Sequence, residues 1–346
     1  MKRTVAVLLA LALALPFSAG LSEAQRYTYT FFNTFDTVVT LTGYADSREA
    51  FDRAAALCER EFKRLDELYT PYLHSEQGNN LWSLNSGAWR EPMAVDDDLM
   101  GLLVFCRDMQ AAYPGAVNVA MGRVLSLWHE ARLAAEDDPS NACVPDASAL
   151  AEAAEHCSFD DVVLDEEAGT VFYRDPLLRL DLGAVAKGYA AGLVEKELAE
   201  LLPAFCINAG GNIVLHGAPL NSRGTWRVAV QNPDSPLYGD NTTLGVVERT
   251  DGCIVTSGDY QRYYTVDGVR YHHIIDPDTL QPARSVRAVT IICADSGLAD
   301  FLSTTCFILS FDESRQMIVG MEDVEALWVL NDGTVVQTSG FGLSRQ

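Results

Sequence analysis

Three Asp-Gly dipeptides, Asp251-Gly252, Asp267-Gly268 and Asp332-Gly333, separate short runs rich in β-branched and aromatic residues. In that setting Asp-Gly signals a tight hairpin, because glycine adopts the positive φ that such turns require. The runs cover residues 226–230, 243–248, 253–256, 263–266 and 269–275, with another at 286–294. Residues 28–42 alternate as one or two strands, 162–164 and 171–173 form a hairpin, and 205–207 read as a buried strand. Helices alternate with these strands. One is capped at Asp46 and aligns Phe51, Ala55, Cys58, Phe62 and Leu65 on one face as far as Tyr69; another is capped at Asp96 and runs to Tyr113. Gly122 opens a helix through Trp128, and further helices fall at 147–156, 296–310 and 312–319, whereas 70–88 and 131–146 read as irregular loops. Hairpins mixed with helices predict an α+β fold, a two-lobed single domain with mixed and antiparallel sheets and packed helices. G-x-G-x-x-G and P-loop sequences are absent, which argues against a doubly wound nucleotide fold.

Residues 1–24 read as an export signal. Lys2 and Arg3 precede an apolar run ending at Ala19, and Ser22-Glu23-Ala24 places small residues at the −3 and −1 positions of a cut before Gln25. The run is short for a membrane span, and no cysteine follows it to take a lipid. The remaining domain, 25–346, is thus expected outside the cytoplasm, in a periplasm or at the outer face of the cytoplasmic membrane, as a monomer or weak associate. A formal charge of −23 argues against nucleic acid and anionic membrane surfaces, and an anionic substrate would need local cations. The eight cysteines show no CxxC or Cys/His metal spacing. Cys58, Cys106, Cys206, Cys293 and Cys306 lie in apolar patterns as buried thiols, which leaves one or two disulfides at most.

The stretch Leu-Asp-Leu-Gly-Ala-Val-Ala-Lys-Gly-Tyr-Ala-Ala-Gly, residues 180–192, predicts a strand (177–182) running into a helix with small residues in its first turn. Free N–H groups at a helix start, with Lys187 close by, suit a phosphate; a tightly packed corner with a solvated lysine suits the same pattern. Asp300 and Thr304 share one face of an otherwise apolar helix. A carboxylate there needs a partner, and with a hydroxyl and backbone carbonyls it forms a hard oxygen set for Mg²⁺; a salt bridge or a cap is the structural alternative. Ser303 is adjacent. Thr256-Ser257-Gly258-Asp259-Tyr260 forms a polar elbow after a strand. His272 and His273 project to opposite faces of a strand, so one of them is available for acid–base or phosphate chemistry and the other for packing.

Taken in order, Asp-Leu-Gly-Ala-Val-Ala-Lys-Gly-Tyr, Asn-Ala-Gly-Gly-Asn, Thr-Ser-Gly-Asp-Tyr, His-Ile-Ile-Asp-Pro and Ala-Asp-Ser-Gly-Leu-Ala-Asp-x-x-x-Thr resemble the FAD:protein FMN transferases, the ApbE family. The likeness runs from about Tyr29 to Val336, and Val-Asn-Val-Ala-Met-Gly-x-Val-Leu-Ser-Leu-Trp-His is similar to a clostridial-type branch. The resemblance implies an ApbE-like (T-fold-related) enzyme. It would use Mg²⁺ to move FMN from FAD onto a Thr or Ser of an exported redox protein, with release of AMP. The implied acceptors are domains of exported or membrane electron-transfer proteins, of the Rnf or Na⁺-translocating NADH:quinone reductase type. FAD hydrolysis to FMN and AMP, or flavin binding without turnover, are the alternative activities. Carried over by motif, Asp181 and Lys187 contact FAD, and Phe32, Tyr72, Ala116, Val117, Asn118 and Ile274 line the flavin or adenine site. Ala184 (through its carbonyl), Asp300, Ser303 and Thr304 form the metal site, and His273 or Asp259 is the base. Phe32 stands where the family has Met, Asn118 where an acidic residue is usual, Gly183 where Ser is usual, and Leu280-Gln281 where Gly and its neighbour are usual.

Overall fold

Antiparallel pairing is the spine of the molecule. A computed structural model describes residues 24–235 and 242–344, so residues 1–23 of the predicted export signal lie outside the described residues. The elements are β1 (Gln25–Thr34), β2 (Thr37–Ala45), α1 (Arg48–Tyr69), α2 (Leu81–Gly87), β3 (Met93–Ala94), α3 (Asp97–Ala112), α4 (Gly122–Asp137), α5 (Ala147–Ala154), β4 (Val162–Asp165) and β5 (Thr170–Tyr173). They continue as α6 (Ala186–Ala199), β6 (Ala204–Ala209), β7 (Asn212–His216), β8 (Trp226–Gln231), β9 (Thr243–Arg249), β10 (Gly252–Gly258), β11 (Tyr263–Val266), β12 (Val269–His272), β13 (Ala288–Cys293), α7 (Ser296–Ile308), α8 (Phe311–Val319), β14 (Glu325–Val329) and β15 (Val335–Gln337). Eight strands make one sheet in the order β1-β2-β6-β7-β10-β13-β14-β15. Every pair in it is antiparallel. Helices α1, α6 and α7 cover one face, and the β8–β9 ribbon covers the other with Trp226, Val228, Val230 and Val247. Strand β13, Ala-Val-Thr-Ile-Ile-Cys, is buried at all its residues because both of its faces are covered. A third cluster joins α4 and α5 to the β11–β12 hairpin.

Two of the three Asp-Gly turns close hairpins, β11–β12 and β14–β15. Asp251-Gly252 does not: β9 pairs with β8 whereas β10 pairs with β7 and β13, so the chain passes there from ribbon to sheet. The dipeptide still turns, with Gly252 at φ 102° and Asp251 accepting from the Gly217 N–H at 2.6 Å. Other expectations shift in the same way. Ser47, not Asp46, caps α1, accepting from Ala50. The polar stretch 70–88 contains α2, capped by Asn80, and α4 continues through the predicted loop to Asp137. Residues 212–216, for which no strand is predicted, form β7. All eight cysteines are free thiols.

The predicted strand at 177–182 is an extended segment with a single parallel bridge, Met121 to Arg179. Its backbone groups are satisfied without a strand neighbour. The buried Asn85 side chain accepts from the Leu180 N–H and donates to its carbonyl, each at 2.8 Å, and the Asp181 N–H reaches the Val119 carbonyl at 2.8 Å. A side-chain amide offers one donor and one acceptor, as a peptide does, so it substitutes for a ladder partner. Helix α6 therefore begins at Ala186, with Ala184 in the turn before it. Its glycine has a packing cause: a Cβ on Gly188 would lie 2.3 Å from the Ser296 carbonyl oxygen and 2.5 Å from Asp300 Cβ. The small-residue corner thus brings α7 against α6 and carries Asp300 to the start of α6.

Candidate active site

That contact builds the floor of a cleft. Asp300 is 3% exposed, and one of its oxygens accepts the Gly188 N–H at 2.8 Å, taking one of the free donors at the start of α6. The same oxygen lies 3.9 Å from Lys187 Nζ. Burial pushes the Asp300 carboxyl above its ordinary value, against the pull of Lys187, the Gly188 N–H and Asn212. One turn on, Thr304 Oγ1 lies 3.4 Å from Ser257 Oγ, which in turn meets Ser303 Oγ at 2.8 Å. Asp300, Thr304, Ala184 and Lys187 all line the cleft, while Ser303 sits behind them, fully buried and donating to the Asp300 carbonyl at 3.0 Å. Among the described residues no group of three or more His, Cys, Asp or Glu forms a cation cage. One buried carboxylate with hydroxyls and open space above it suits Mg²⁺, which keeps waters and shares its shell with substrate phosphates.

The cleft has a volume of about 1930 Å³, larger than the roughly 300–1,000 Å³ of pockets for drug-sized ligands. Phe32, Tyr72, Ala116, Val117, Asn118, Asp181 and Ile274 line it, as do Lys63, Arg132 and Arg262. These cations and Lys187 lie beside the carboxylates Asp36, Asp66, Glu67, Glu136, Asp181 and Asp300, so an anionic ligand meets positive charge only at individual side chains. Phe32 is 58% exposed at the mouth. Asn118 is held by its own loop and by the segment after α5, accepting from the Ala120 N–H at 2.9 Å and donating to the Cys157 carbonyl at 2.9 Å. Asp181 accepts from Gly183 N at 2.8 Å and from the Tyr72 hydroxyl at 3.4 Å, and burial raises its carboxyl above the usual range. Tyr72 then stacks on His129 with ring centroids 4.4 Å apart. Arginine only donates, so the 3.1 Å contact from Arg132 makes His129 Nδ1 an acceptor and leaves the proton of the neutral ring on Nε2.

The two adjacent histidines separate cleanly. His272 is 2% exposed; its Nε2 faces the Ala283 carbonyl at 2.8 Å, and its Nδ1 accepts from the Ile274 N–H at 3.3 Å. Both ring nitrogens are used in holding the end of β12. His273 opens onto the cleft, and its Nδ1 faces the Arg262 carbonyl at 3.3 Å, so in the neutral ring Nδ1 carries the proton and Nε2 is the free acceptor. Surrounding protein, then Arg262, His272 and Lys187, push its pKa well below the ordinary histidine value, which keeps the ring neutral. Asp259 is placed differently. It is 8% exposed, is not part of the cleft lining, and is gripped by Arg287 at 2.6 Å and Arg270 at 3.4 Å. Its charge is spent on a buried ion-pair cluster, which leaves His273 as the base candidate that faces the cleft.

Several cleft residues escaped the sequence reading. Ser257 belongs to β10, not to an elbow after it, and the Thr-Ser-Gly-Asp-Tyr motif assigns it no role. His129 closes the Val-Asn-Val-Ala-Met-Gly-x-Val-Leu-Ser-Leu-Trp-His motif, which assigns it no role, and Arg132 and Arg262 carry no local signal beyond their charge. Asp66, on α1, also lines the cleft. Burial raises its pKa to about 6, opposed by the Phe35 N–H and reinforced by Asp36. A raised carboxyl contributes stability below the unfolded value of 3.8 and loses it as pH climbs through about 6. Asp66→Asn keeps an acceptor for Phe35 and removes the charge. It should raise the thermal midpoint at pH 8 by ~1–3 °C and leave it unchanged near pH 4, read by calorimetry at both values. An equal gain at both pH values would mean that the charge is not the cause.

A model of the ApbE family matches residues 35–328. An FAD:protein FMN transferase from Treponema pallidum is 34% identical over 307 residues, covering 85% of this chain and 82% of that protein. One from Klebsiella pneumoniae is 30% identical over 325 residues, covering 92% and 94%. Among solved structures, an ApbE protein from Thermotoga maritima aligns with a TM-score of 0.79 at 27% identity, covering 92% of this chain and 98% of the other. The flavin transferase ApbE from Vibrio cholerae shares the fold with a TM-score of 0.73 at 23% identity over the same shares of the two chains.

Proposed function

The chain belongs to the ApbE family, and we propose that it transfers FMN from FAD to a Thr or Ser hydroxyl of an exported redox protein, with Mg²⁺ present and AMP released. The observation that carries this reading is one cleft holding both halves of the chemistry. Its floor pairs the buried Asp300 carboxylate with Lys187, and its wall presents the neutral His273 ring with Nε2 free. The similar proteins from Treponema pallidum and Klebsiella pneumoniae carry the name of that activity.

In this reading FAD lies in the cleft, with Lys187 and Arg262 offsetting the charge of its diphosphate. The acceptor oxygen forms a bond to the phosphorus of the FMN half while the bond from that phosphorus to the AMP oxygen breaks. The hydroxyl proton passes to His273 Nε2. Asp300, Thr304 and the Ala184 carbonyl would hold Mg²⁺, with Ser257 beside them at the cleft and Ser303 behind; when bound, the ion offsets charge on the diphosphate. Phosphoryl transfer depends chiefly on positioning, so the contribution of the chain is to hold phosphate and hydroxyl together. The predicted export signal and the family resemblance together favour an acceptor outside the cytoplasm, of the Rnf or Na⁺-translocating NADH:quinone reductase type; no helix among the described residues is long and apolar enough to cross a membrane.

The test combines purified protein, FAD, Mg²⁺ and a candidate acceptor domain. Mass spectrometry of the acceptor should show covalent FMN, and chromatography should show AMP in equal amount. AMP and free FMN without acceptor labelling would identify a hydrolase. Neither product, with FAD bound, would identify a flavin-binding protein.

A further inference from the structure

The turn between β1 and β2 concentrates backbone strain. Asn33, Phe35 and Asp36 have φ of 62°, 51° and 51°, a left-handed region that costs non-glycine residues roughly 1–3 kcal/mol each when nothing local favours it. Such a turn persists only when its surroundings hold it from several sides. On one side lies Asp66 of α1, whose carboxyl the Phe35 backbone pulls down against burial. Arg262 holds it from the other: Nη2 donates to the Phe35 carbonyl at 3.0 Å and the Asp36 carbonyl at 3.2 Å, and Nη1 lies 4.0 Å from the Asp36 carboxylate. The Phe35 and Asp36 carbonyls are thus both engaged by one side chain, and Phe32, just before the turn, lines the cleft.

Arg262 also meets the opposite wall. Its backbone carbonyl accepts from the His273 N–H at 3.2 Å and faces His273 Nδ1 at 3.3 Å. The residue therefore joins the strained turn to the imidazole through separate groups, guanidinium on one side and carbonyl on the other. We propose that Arg262 is a positioning residue for the transfer: its side chain latches turn 33–36 at the cleft, and this anchors the carbonyl that keeps His273 in the tautomer with Nε2 free. The inference rests on the transfer reading of the cleft. It explains why an arginine suits the place: Nη2 takes both carbonyls while Nη1 faces the Asp36 carboxylate, whereas a lysine brings a single nitrogen.

The experiment compares Arg262→Met and Arg262→Lys with the wild-type full chain, using FAD, Mg²⁺ and an acceptor domain. For Arg262→Met, transfer at saturating FAD should fall by roughly 10–100-fold while the Kd for FAD rises by less than about 10-fold, because misplacement costs the reaction more than the binding. In ¹⁵N spectra of histidine-labelled protein, His273 should lose the Nδ1-protonated signature. Arg262→Lys, which keeps the charge without the fork, should recover only part of the rate. An unchanged rate at saturating FAD overturns the proposal. So does a loss that follows the folded fraction alone, with the His273 signature intact. If Arg262→Met does not fold, Arg262→Lys decides by the same readings. A wild-type protein that transfers no FMN would instead overturn the functional reading; FAD affinity and the imidazole spectra still report on the latch.

Discussion

Asp300→Ala is expected to lower FMN transfer by at least ~10³-fold, the scale on which loss of a preorganised charge at a phosphoryl centre acts. Among the described residues no group of three or more His, Cys, Asp or Glu surrounds this carboxylate, so no ready-made cluster takes its place. Its structural role is smaller and has two opposing parts. Removing it leaves the Gly188 N–H without its acceptor, a cost of about 1–3 kcal/mol, but also removes a carboxylate whose raised pKa shows that its charge is disfavoured by burial. Asp300→Asn separates the parts, because the amide oxygen still accepts from Gly188. It should be as inactive as the alanine variant while melting closer to the wild type. Transfer rate, thermal midpoint and FAD affinity with and without Mg²⁺ are the readouts. Wild-type turnover in either variant, with Mg²⁺ still required, would place the cation elsewhere in the cleft.

His273→Ala is expected to reduce transfer by roughly 10²–10⁴-fold, the usual span for a lost general acid or base, with FAD binding retained. Its partner in sequence provides the contrast. His272→Ala removes the bond to the Ala283 carbonyl and the acceptor of the Ile274 N–H, so it should destabilise the fold by about 1–3 kcal/mol and slow transfer only as positioning is lost. The two also differ in acid. Burial lowers the His272 pKa from 6.5 to about 4. Below pH 6.5 the unfolded chain gains a proton that the folded chain refuses, so stability falls as pH drops from about 6.5 to about 4. His272→Ala should flatten that slope. A His273→Ala enzyme at the wild-type rate would remove His273 from the chemistry, and the engaged Asp259 would have to leave its arginines to take its place.

The features legible in the sequence were short-range ones. Helical periodicity located α1, α3, α7 and α8, and turn chemistry located the β11–β12 and β14–β15 hairpins, because neighbours three or four positions apart decide both. The ordered motifs contain Asp181, Ala184, Lys187, His273, Ile274, Asp300 and Thr304, which all line one cleft. The sequence also showed that an acidic chain handling an anion needs local cations, and that only one of two adjacent strand histidines reaches a given face.

Tertiary structure decided which distant group completes each local one. Asp251-Gly252 turns as expected, yet strand partners far along the chain determine that β9 and β10 never pair. Residues 177–182 have the composition of a strand but lack a strand neighbour, because Asn85, nearly a hundred residues away, satisfies Leu180. Gly188 is required by Ser296 and Asp300, and nothing in its own helix announces that. Asp259 and His273 are equally acceptable bases on paper; Arg287 and Arg270 engage the first, while the carbonyl of Arg262 orients the second. A buried polar group must find a partner, and the sequence states the requirement without stating the address. Only packing brings the partner within 3 Å.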